Sequence, residues 1–377
     1  MTAPPFRQDW RRRKYAAFDV RANSTAGRTI TIDLWGTRRE IYANANLSIY
    51  SAAACNGDCP FCIERLRPVS RGAQLADQKQ VEFCDRRYVD ALGQVLGALR
   101  PLDVSVSVTG GEPSKDPRLP AILVALAAQR MRKRTVTTNG SGLLDRRQGR
   151  PVVDWLAAAG VSHLNISRAH PDHDHNARLM ALRDGLSPAG LRQAIGVARR
   201  GGVRVRLSCV LVSGSIDSIA TVCDYLHFAE DLGVDNVVFR QLMLTDASTA
   251  LPSAMTRFCD EHRVALDPIL DGLETIPSFS FQKQILGYYY YVEVWRYHGI
   301  DVVLEQADLA QLETAKLRMP GIVHELVFHP NARLASTWKP WDGVLGPGAA
   351  TGPLAKKSRE RGDCRARPKP CRRCEAF

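Results

Sequence analysis

Cys55, Cys59 and Cys62 stand in the run Ala54-Cys-Asn-Gly-Asp-Cys-Pro-Phe-Cys, with spacing C-x3-C-x2-C. Three thiolates on one short loop hold three corners of a [4Fe–4S] cluster and leave the fourth iron open to another ligand. Gly57 and Pro60 suit the tight path of a loop wrapped around such a group. The alternative is a zinc site or three unrelated thiols. Structural zinc sites take four ligands, usually in paired spacings, and a lone three-cysteine loop matches that poorly.

The elements that must position this loop read as strands alternating with helices. Strands are predicted at Asn44–Tyr50, Val104–Thr109, Arg134–Asn139, Ser162–Ser167, Val203–Val210 and Asn236–Leu242. Helices are predicted near Asp85–Leu99, Arg118–Arg130, Val152–Ala159, Pro188–Arg199 and Ile216–Leu232. Serial β-then-α units imply a parallel sheet with right-handed crossovers. The strands alternate: Asn44, Asn46, Ser48 and Tyr50 oppose Ala45, Leu47 and Ile49, and Ser105, Ser107 and Thr109 oppose Val104, Val106 and Val108. Likewise His163, Asn165 and Ser167 oppose Leu164 and Ile166, and Arg204, Arg206 and Ser208 oppose Val205 and Leu207. A parallel strand buried on both faces reads as continuously apolar. One face is polar here, so it must look into a wet or ligand-filled space. A closed barrel filled by branched apolar side chains does not fit; a wider, open barrel does. The expected fold class is therefore α/β, a partial (β/α)6 TIM-like barrel with a small C-terminal α+β extension. The expected divisions are 1–40, a basic arm and lead-in; 41–245, the barrel; 246–355, the extension; and 356–377, a basic cysteine-rich tail. In the extension a helix is expected near Ser253–Leu270. Antiparallel runs are expected at Tyr288–Trp295, Ile300–Glu305, Ile322–His329 and Arg333–Thr337, with Pro330–Asn331 as a turn.

Further chemistry-bearing runs fall at strand ends. Gly110-Gly111-Glu112-Pro113 follows the second strand, Thr137-Thr138-Asn139-Gly140 ends the third, and Ser167-Arg168 ends the fourth. A Gly-Gly pair lets backbone approach a ligand closely, and Glu112 offers an acceptor for an ammonium group. With Phe61 before the last cysteine of the loop, this set resembles the radical S-adenosylmethionine (SAM) superfamily over roughly residues 41–245. The resemblance implies an enzyme with SAM on a [4Fe–4S] cluster held by Cys55, Cys59 and Cys62. It implies cofactor contacts at Phe61, Gly110, Gly111, Glu112, Thr137, Asn139, Ser167 and Arg168. It implies reductive cleavage of SAM to a 5′-deoxyadenosyl radical that abstracts hydrogen from a substrate, with the electron from a donor such as flavodoxin or ferredoxin. The partial barrel of that family agrees with the strand pattern.

Cys364, Cys371 and Cys374 close the sequence with spacing C-x6-C-x2-C. They resemble the auxiliary cluster site of molybdopterin-precursor cyclases and of members with a twitch or SPASM extension; three thiols on a basic tail are the alternative. The spacing differs from the cyclases, and the ending Cys374-Glu-Ala-Phe377 lacks their terminal Gly-Gly, which points away from that activity. Cys259 is the candidate for a fourth ligand, whereas Cys84, Cys209 and Cys223 read as structural.

Arg206, Ser208 and Arg240 share the polar phase of the fifth and sixth strands and suit a phosphate or carboxylate. The run His170-Pro-Asp-His173-Asp-His175 reads as a polar loop over the cavity, in contact with substrate, with metal binding as the lesser alternative. The chain has 377 residues and a net charge of +12, with 45% hydrophobic and 24% charged residues. That excludes a mainly disordered chain. Residues 1–14 carry net +4 and residues 356–377 net +6, so the body is near neutral. This argues against a nucleic-acid-binding body. The longest apolar run, near Leu119–Ala128, is too short to span a bilayer, and Met1–Lys14 has no apolar segment of the secretory kind. A cytoplasmic location is expected. The reading that follows is an enzyme acting on a polar small molecule: a nucleotide, nucleoside or sugar. The rival with the same chemistry modifies a ribosomally made peptide, and the remote one is a metal-dependent nucleic-acid-binding protein.

Overall fold

Strands that hide one apolar face and keep one polar face need helices on a single side, and the computed structural model has that arrangement. It describes residues 20–22, 29–51, 55–62, 85–243, 253–286, 289–308, 312 and 316–346. The strands in chain order are β1 (Val20–Ala22), β2 (Thr29–Leu34), β3 (Thr37–Tyr42), β4 (Asn46–Tyr50), β5 (Ser105–Thr109), β6 (Lys133–Thr138), the short β7 and β8 (Arg146–Arg147, Arg150–Pro151) and β9 (His163–Ser167). They continue with β10 (Arg204–Leu211), β11 (Asn236–Gln241), β12 (Phe279–Leu286), β13 (Tyr290–Tyr297), β14 (Ile300–Ala307), β15 (Ile322–Val323), β16 (Leu326–Phe328), β17 (Leu334–Ala335) and β18 (Val344–Gly346). The helices are α1 (Asp85–Ala98), α2 (Leu119–Ala127), α3 (Val152–Ala158), α4 (His173–Leu179), α5 (Pro188–Arg200), α6 (Ile219–Asp231), α7 (Ala254–His262) and α8 (Leu266–Thr275).

Six strands, β4-β5-β6-β9-β10-β11, run parallel and adjacent. The two outer members do not pair with each other. β4 pairs with β16 and β11 with β14, both parallel, so the barrel stays open and the extension supplies the hydrogen bonds its edges lack. The expected partial barrel is thus present, and the extension is stitched to both of its sides. Leu47, Ile49, Val106, Val108, Leu164, Ile166, Val205 and Leu207 lie buried on the helix side, in one core with Leu92, Val95, Ile122, Leu156, Ile195 and Leu226. Local signals set the helix starts. Ser187 caps α5 ahead of Pro188, and Ser218 and Thr221 form a capping box at α6.

Five features depart from the sequence expectations. The run Ile322–His329, expected as antiparallel, is β15 and β16, which pair in parallel with β3 and β4. Residues assigned to the lead-in form the β2–β3 hairpin, turned at Trp35 and Gly36, both at positive φ (51° and 81°). The single helix expected near Ser253–Leu270 is two helices, broken where Arg263 donates to the carbonyls of Leu242 and Met243. The His170–His175 run is not simply a loop, because Asp172 accepts from the His175 amide and starts α4 at His173. β12 carried no strand signal of its own and is held by pairing with β13. Residues 356–377, with Cys364, Cys371 and Cys374, lie outside the described residues, as does Cys84.

His329 sits behind the barrel entrance, fully buried, with its ring stacked on Tyr50 and Nε2 at 2.9 Å from the Thr337 carbonyl. Burial lowers its pKa to about 4. The unfolded chain therefore takes the proton first as pH falls. The stability from a neutral His329 is full above the ordinary histidine value and is lost between it and about 4. By pH 5 the loss is on the order of 2 kcal/mol. Thermal unfolding at pH 7.5 and 5.0 should show a drop smaller by about 2 kcal/mol in His329→Gln than in wild type; equal drops in both proteins would refute the assignment.

Candidate functional site

The cysteine loop leaves β4 and docks on the segment after α4. The Asp58 amide donates to the Met180 carbonyl at 3.2 Å, the Arg183 amide to the Asn56 carbonyl at 3.1 Å, and Asn56 Nδ2 to the Asp184 carbonyl at 3.2 Å. A Cβ on Gly57 would lie 3.0 Å from a Leu182 methyl and 3.2 Å from the Met180 carbonyl. The backbone passes there because residue 57 has no side chain. Burial, followed by the charges of Cys62 and Cys55, pushes the Cys59 thiol up to about 12. A thiol so placed is held as thiolate only by bound metal. Among the described residues no three His, Cys, Asp or Glu side chains gather as a single metal ion requires, the His170–His175 run included. The donor set, three soft thiols and no carboxylate or imidazole, fits an iron–sulfur cluster.

Phe61 turns away from the loop into an apolar cluster with Val212, Leu242 and Cys259, its ring 6.3 Å from that of Phe258. It anchors the loop to α7. Cys259 is sealed in that cluster, with burial pushing its thiol up to about 11. This removes it as a fourth cluster ligand. Cys209 is likewise fully buried.

Gly110 and Gly111 both take positive φ, 80° and 59°, at the end of β5. A Cβ on Gly110 would lie 2.6 Å from the Tyr50 ring. Gly110→Ala should therefore cost about 2–4 kcal/mol, from the left-handed backbone and the ring contact together. Urea unfolding measures it, and a loss below about 0.5 kcal/mol would show that the ring yields. Glu112 does not reach the lumen as a free acceptor. Its carboxylate is 1% exposed and accepts from the Ser114 amide (2.9 Å), Ser114 Oγ (2.5 Å), Thr138 Oγ1 and the Asn139 amide (2.6 Å). Burial pushes its pKa up, and the bonds from Ser114, Thr138 and Asn139 pull it back. The expectation of an ammonium contact at this side chain is corrected: Glu112 ties the turn after β5 to the end of β6.

Asn139 is drawn to the cysteine loop. Its Nδ2 donates to Asn56 Oδ1 at 2.8 Å and lies 3.9 Å from Cys55 Sγ, and its Oδ1 accepts from Ser141 Oγ at 2.6 Å. Thr137 and Ser167 lie half-buried on the polar face, Thr137 accepting from Asn165 at 3.3 Å. Arg168 is one residue beyond Ser167, so alternation sends it to the helix side. There it is 6% exposed, donates to the Pro171 carbonyl at 2.8 Å and lies 5.5 Å from the Phe228 ring. Arg168 therefore does not share the phase of Ser167. Arg168, His173 and Asn139 instead line one small pocket with Leu186 and Leu191. His170 stacks on His175, ring centroids 4.0 Å apart, and its Nδ1 accepts from the Asp172 amide, so it serves the loop's own order.

On the polar face of β10, β11 and β14 the structure brings together Arg206, Ser208 and Arg240. Arg240 donates to Ser208 Oγ at 3.0 Å and pairs with Glu305 at 3.2 Å, while Arg206 donates to Asn236 Oδ1. Burial, then the neighbouring Arg240 charge, lowers the pKa of Arg206. The sequence reading did not single out Asn56, Ser141, Lys133, His163, Arg204 or Glu305 as site residues. For His163 and Arg204 the signal was the same period-2 phase. Lys133 was lost because the strand begins one residue earlier than expected.

Residues 49–226 match the sequence model of the Radical SAM superfamily. The chain is 32% identical over 233 residues to a GTP 3′,8-cyclase of Stenotrophomonas maltophilia (strain R551-3), covering 58% of this chain and 59% of that protein. It is 31% identical over 147 residues to a GTP 3′,8-cyclase of Synechococcus sp. (strain CC9902), covering 38% and 37%. The chain thus spans less than two thirds of the curated relatives it matches. Among solved structures it is similar to Streptococcus suis SuiB bound to precursor peptide SuiA, with TM-score 0.47, 15% identity and coverage of 79% of this chain and 60% of that one. It is also similar to the coproporphyrinogen III oxidase HemN of Escherichia coli, with TM-score 0.41, 16% identity and 67% of each chain covered. The superfamily's cofactors are SAM and a [4Fe–4S] cluster, and the thiol set fits the second of these. Residues 49–226 thus carry the sequence of a radical SAM domain.

Proposed function

We propose that this chain is a radical SAM enzyme acting on an anionic small molecule of the nucleotide class inside the barrel. The observation that carries this reading is the half-buried polar face of β6, β9, β10 and β11, with Arg206, Ser208 and Arg240 on it. When bound, SAM at a reduced cluster supplies a carbon radical that removes hydrogen from an unactivated C–H bond. The chain's own residues hold the cluster loop against residues 180–184, keep the turns after β5 and β6 in register through Glu112, and place cationic donors along the lumen. The GTP 3′,8-cyclase relatives fit the nucleotide class. The electron would come from a small redox protein such as flavodoxin or ferredoxin. No helix among the described residues is long and apolar enough to cross a membrane.

The test is 5′-deoxyadenosine release by the reconstituted, dithionite-reduced chain with nucleoside triphosphates, nucleosides, sugar phosphates and peptides. Stimulation by phosphorylated small molecules supports the reading; stimulation by peptides alone overturns it. Iron and sulfide per chain belong to the same experiment. We propose a second cluster at Cys364, Cys371 and Cys374, so the triple alanine variant should fall from about eight irons to about four. About four in both proteins would leave only the SAM cluster.

A further inference from the structure

We propose that the lower half of the barrel lumen, around Lys133, His163, Arg204 and Arg206, is a binding site for a phosphoryl group, the anionic end of the substrate whose reacting carbon lies at the upper, cofactor-facing end. This rests on the reading of the lumen as the substrate site. It adds Lys133, His163 and Arg204 to Arg206 and places the anion below the Arg240–Ser208 pair.

The four residues share the polar phase of three adjacent strands. In the sheet His163 is register partner to both Thr135 and Arg204, Arg206 is partner to Asn165, and Lys133 lies two residues before Thr135 on the same face. Arg204 donates to His163 Nε2 through Nη2 at 2.6 Å and Nε at 3.1 Å. An imidazole that accepts at Nε2 carries its proton on Nδ1. That Nδ1 is buried and has no hydrogen-bond partner among the described residues. Burial, then the charges of Lys133, Arg204 and Arg206, lowers the His163 pKa to about 4. The ring is therefore a neutral N–H donor at neutral pH.

The cations around it lack counter-charges. Among the described residues, no carboxylate lies within ion-pair distance of Lys133, Arg204 or Arg206. The acids that face Arg206 are Glu305 and Asp301, and each holds another arginine, Glu305 with Arg240 at 3.2 Å and Asp301 with Arg296 at 2.5 Å. Burial, then Arg206 and Arg204, lowers the pKa of Lys133. Lys133 and Arg206 are half-buried and Arg204 is exposed beside them, and half-buried like charges with no anion among them are costly to hold. Two guanidiniums, an ammonium and an imidazole N–H, on one face of three adjacent strands and near enough to act on one another's charge, are the donors a phosphoryl group takes.

The position adds a length requirement. Arg204 lies four residues below Ser208 on β10, roughly 13 Å at about 3.3 Å per residue. A nucleoside di- or triphosphate spans that distance, and a bare nucleoside or a sugar monophosphate does not. The same donors would take a free phosphate, so the experiment separates the two sources.

Isothermal titration of the full-length, reconstituted protein without SAM uses pyrophosphate, guanosine and guanosine 5′-triphosphate as probes. The variants are Arg204→Gln and Lys133→Gln, with the exposed Arg200→Gln of α5 as the control for general charge. Pyrophosphate should bind wild type and Arg200→Gln equally, and at least about tenfold more weakly to each lumen variant. The triphosphate should compete with it, and guanosine should not. Absence of pyrophosphate binding, equal binding to Arg204→Gln, or equal weakening in Arg200→Gln would overturn the site. Pyrophosphate binding that the triphosphate does not displace would make the ligand a free anion and overturn the substrate assignment. Because binding is read without SAM cleavage, loss of the radical chemistry leaves this result standing. A neutral substrate that alone stimulates cleavage would sink the functional reading while the anion site remained.

Discussion

Cys59→Ala will leave the reconstituted chain without its brown SAM-cluster chromophore and with 5′-deoxyadenosine formation below detection. The Cys59 thiol is hard to ionise unaided, pushed up to about 12, because burial dominates and the two neighbouring thiolates add to it. Only metal ligation offsets that, so its loss removes the site's reason to assemble. Its Sγ also lies 3.4 Å from the Met180 carbonyl, on the segment that docks the loop. Cys209→Ala is the matched comparison. It removes a fully buried sulfur from the core and should cost about 1–2 kcal/mol while keeping the full iron content. Iron analysis and single-turnover SAM cleavage measure both. A full cluster in Cys59→Ala, or turnover within tenfold of wild type, would count against the assignment of this loop.

The second large effect is expected at Glu112. Glu112→Ala leaves the Ser114 and Asn139 amides, Ser114 Oγ and Thr138 Oγ1 without their acceptor in a site closed to water. A loss of about 3–5 kcal/mol follows from orphaning several buried donors at once. Glu112→Gln keeps one acceptor oxygen and should recover roughly half of it. Chemical denaturation of the metal-free chain reads this independently of turnover. If Glu112→Ala loses less than about 1 kcal/mol, the carboxylate is not the tie between β5 and β6, and a direct cofactor role would regain ground.

Much of this was legible locally. The C-x3-C-x2-C loop, the Gly-Gly pair and the capped helices are written in short spans, and those spans are where backbone sterics and hydrogen bonding act. The six parallel strands followed from period-2 alternation, which is a local property too. The strand partners of the barrel edges were not legible. β16 beside β4 joins residues nearly 280 positions apart, and no local pattern encodes which distant strand closes an edge. The β2–β3 hairpin and the division of the 253–275 helix were missed for related reasons. A turn at Trp35-Gly36 lacks the usual Asn-Gly signal, and the helix break depends on Arg263 binding carbonyls of another segment.

The residues of the site divide in the same way. By itself the sequence determined the chemistry on offer: three thiols on one loop, a polar strand face, and arginines in phase with it. Tertiary structure decided which of those groups remain available. Glu112 is enclosed by four donors, Arg168 is turned to the helix side by a single step of alternation, and Cys259 is closed inside an apolar cluster. Lys133, His163 and Arg204, each at the start of its own strand, converge through the register of β6, β9 and β10. The physical reason is that a polar atom's partners are set by inter-strand register and helix docking. Both are long-range terms, satisfied only when the whole barrel is assembled.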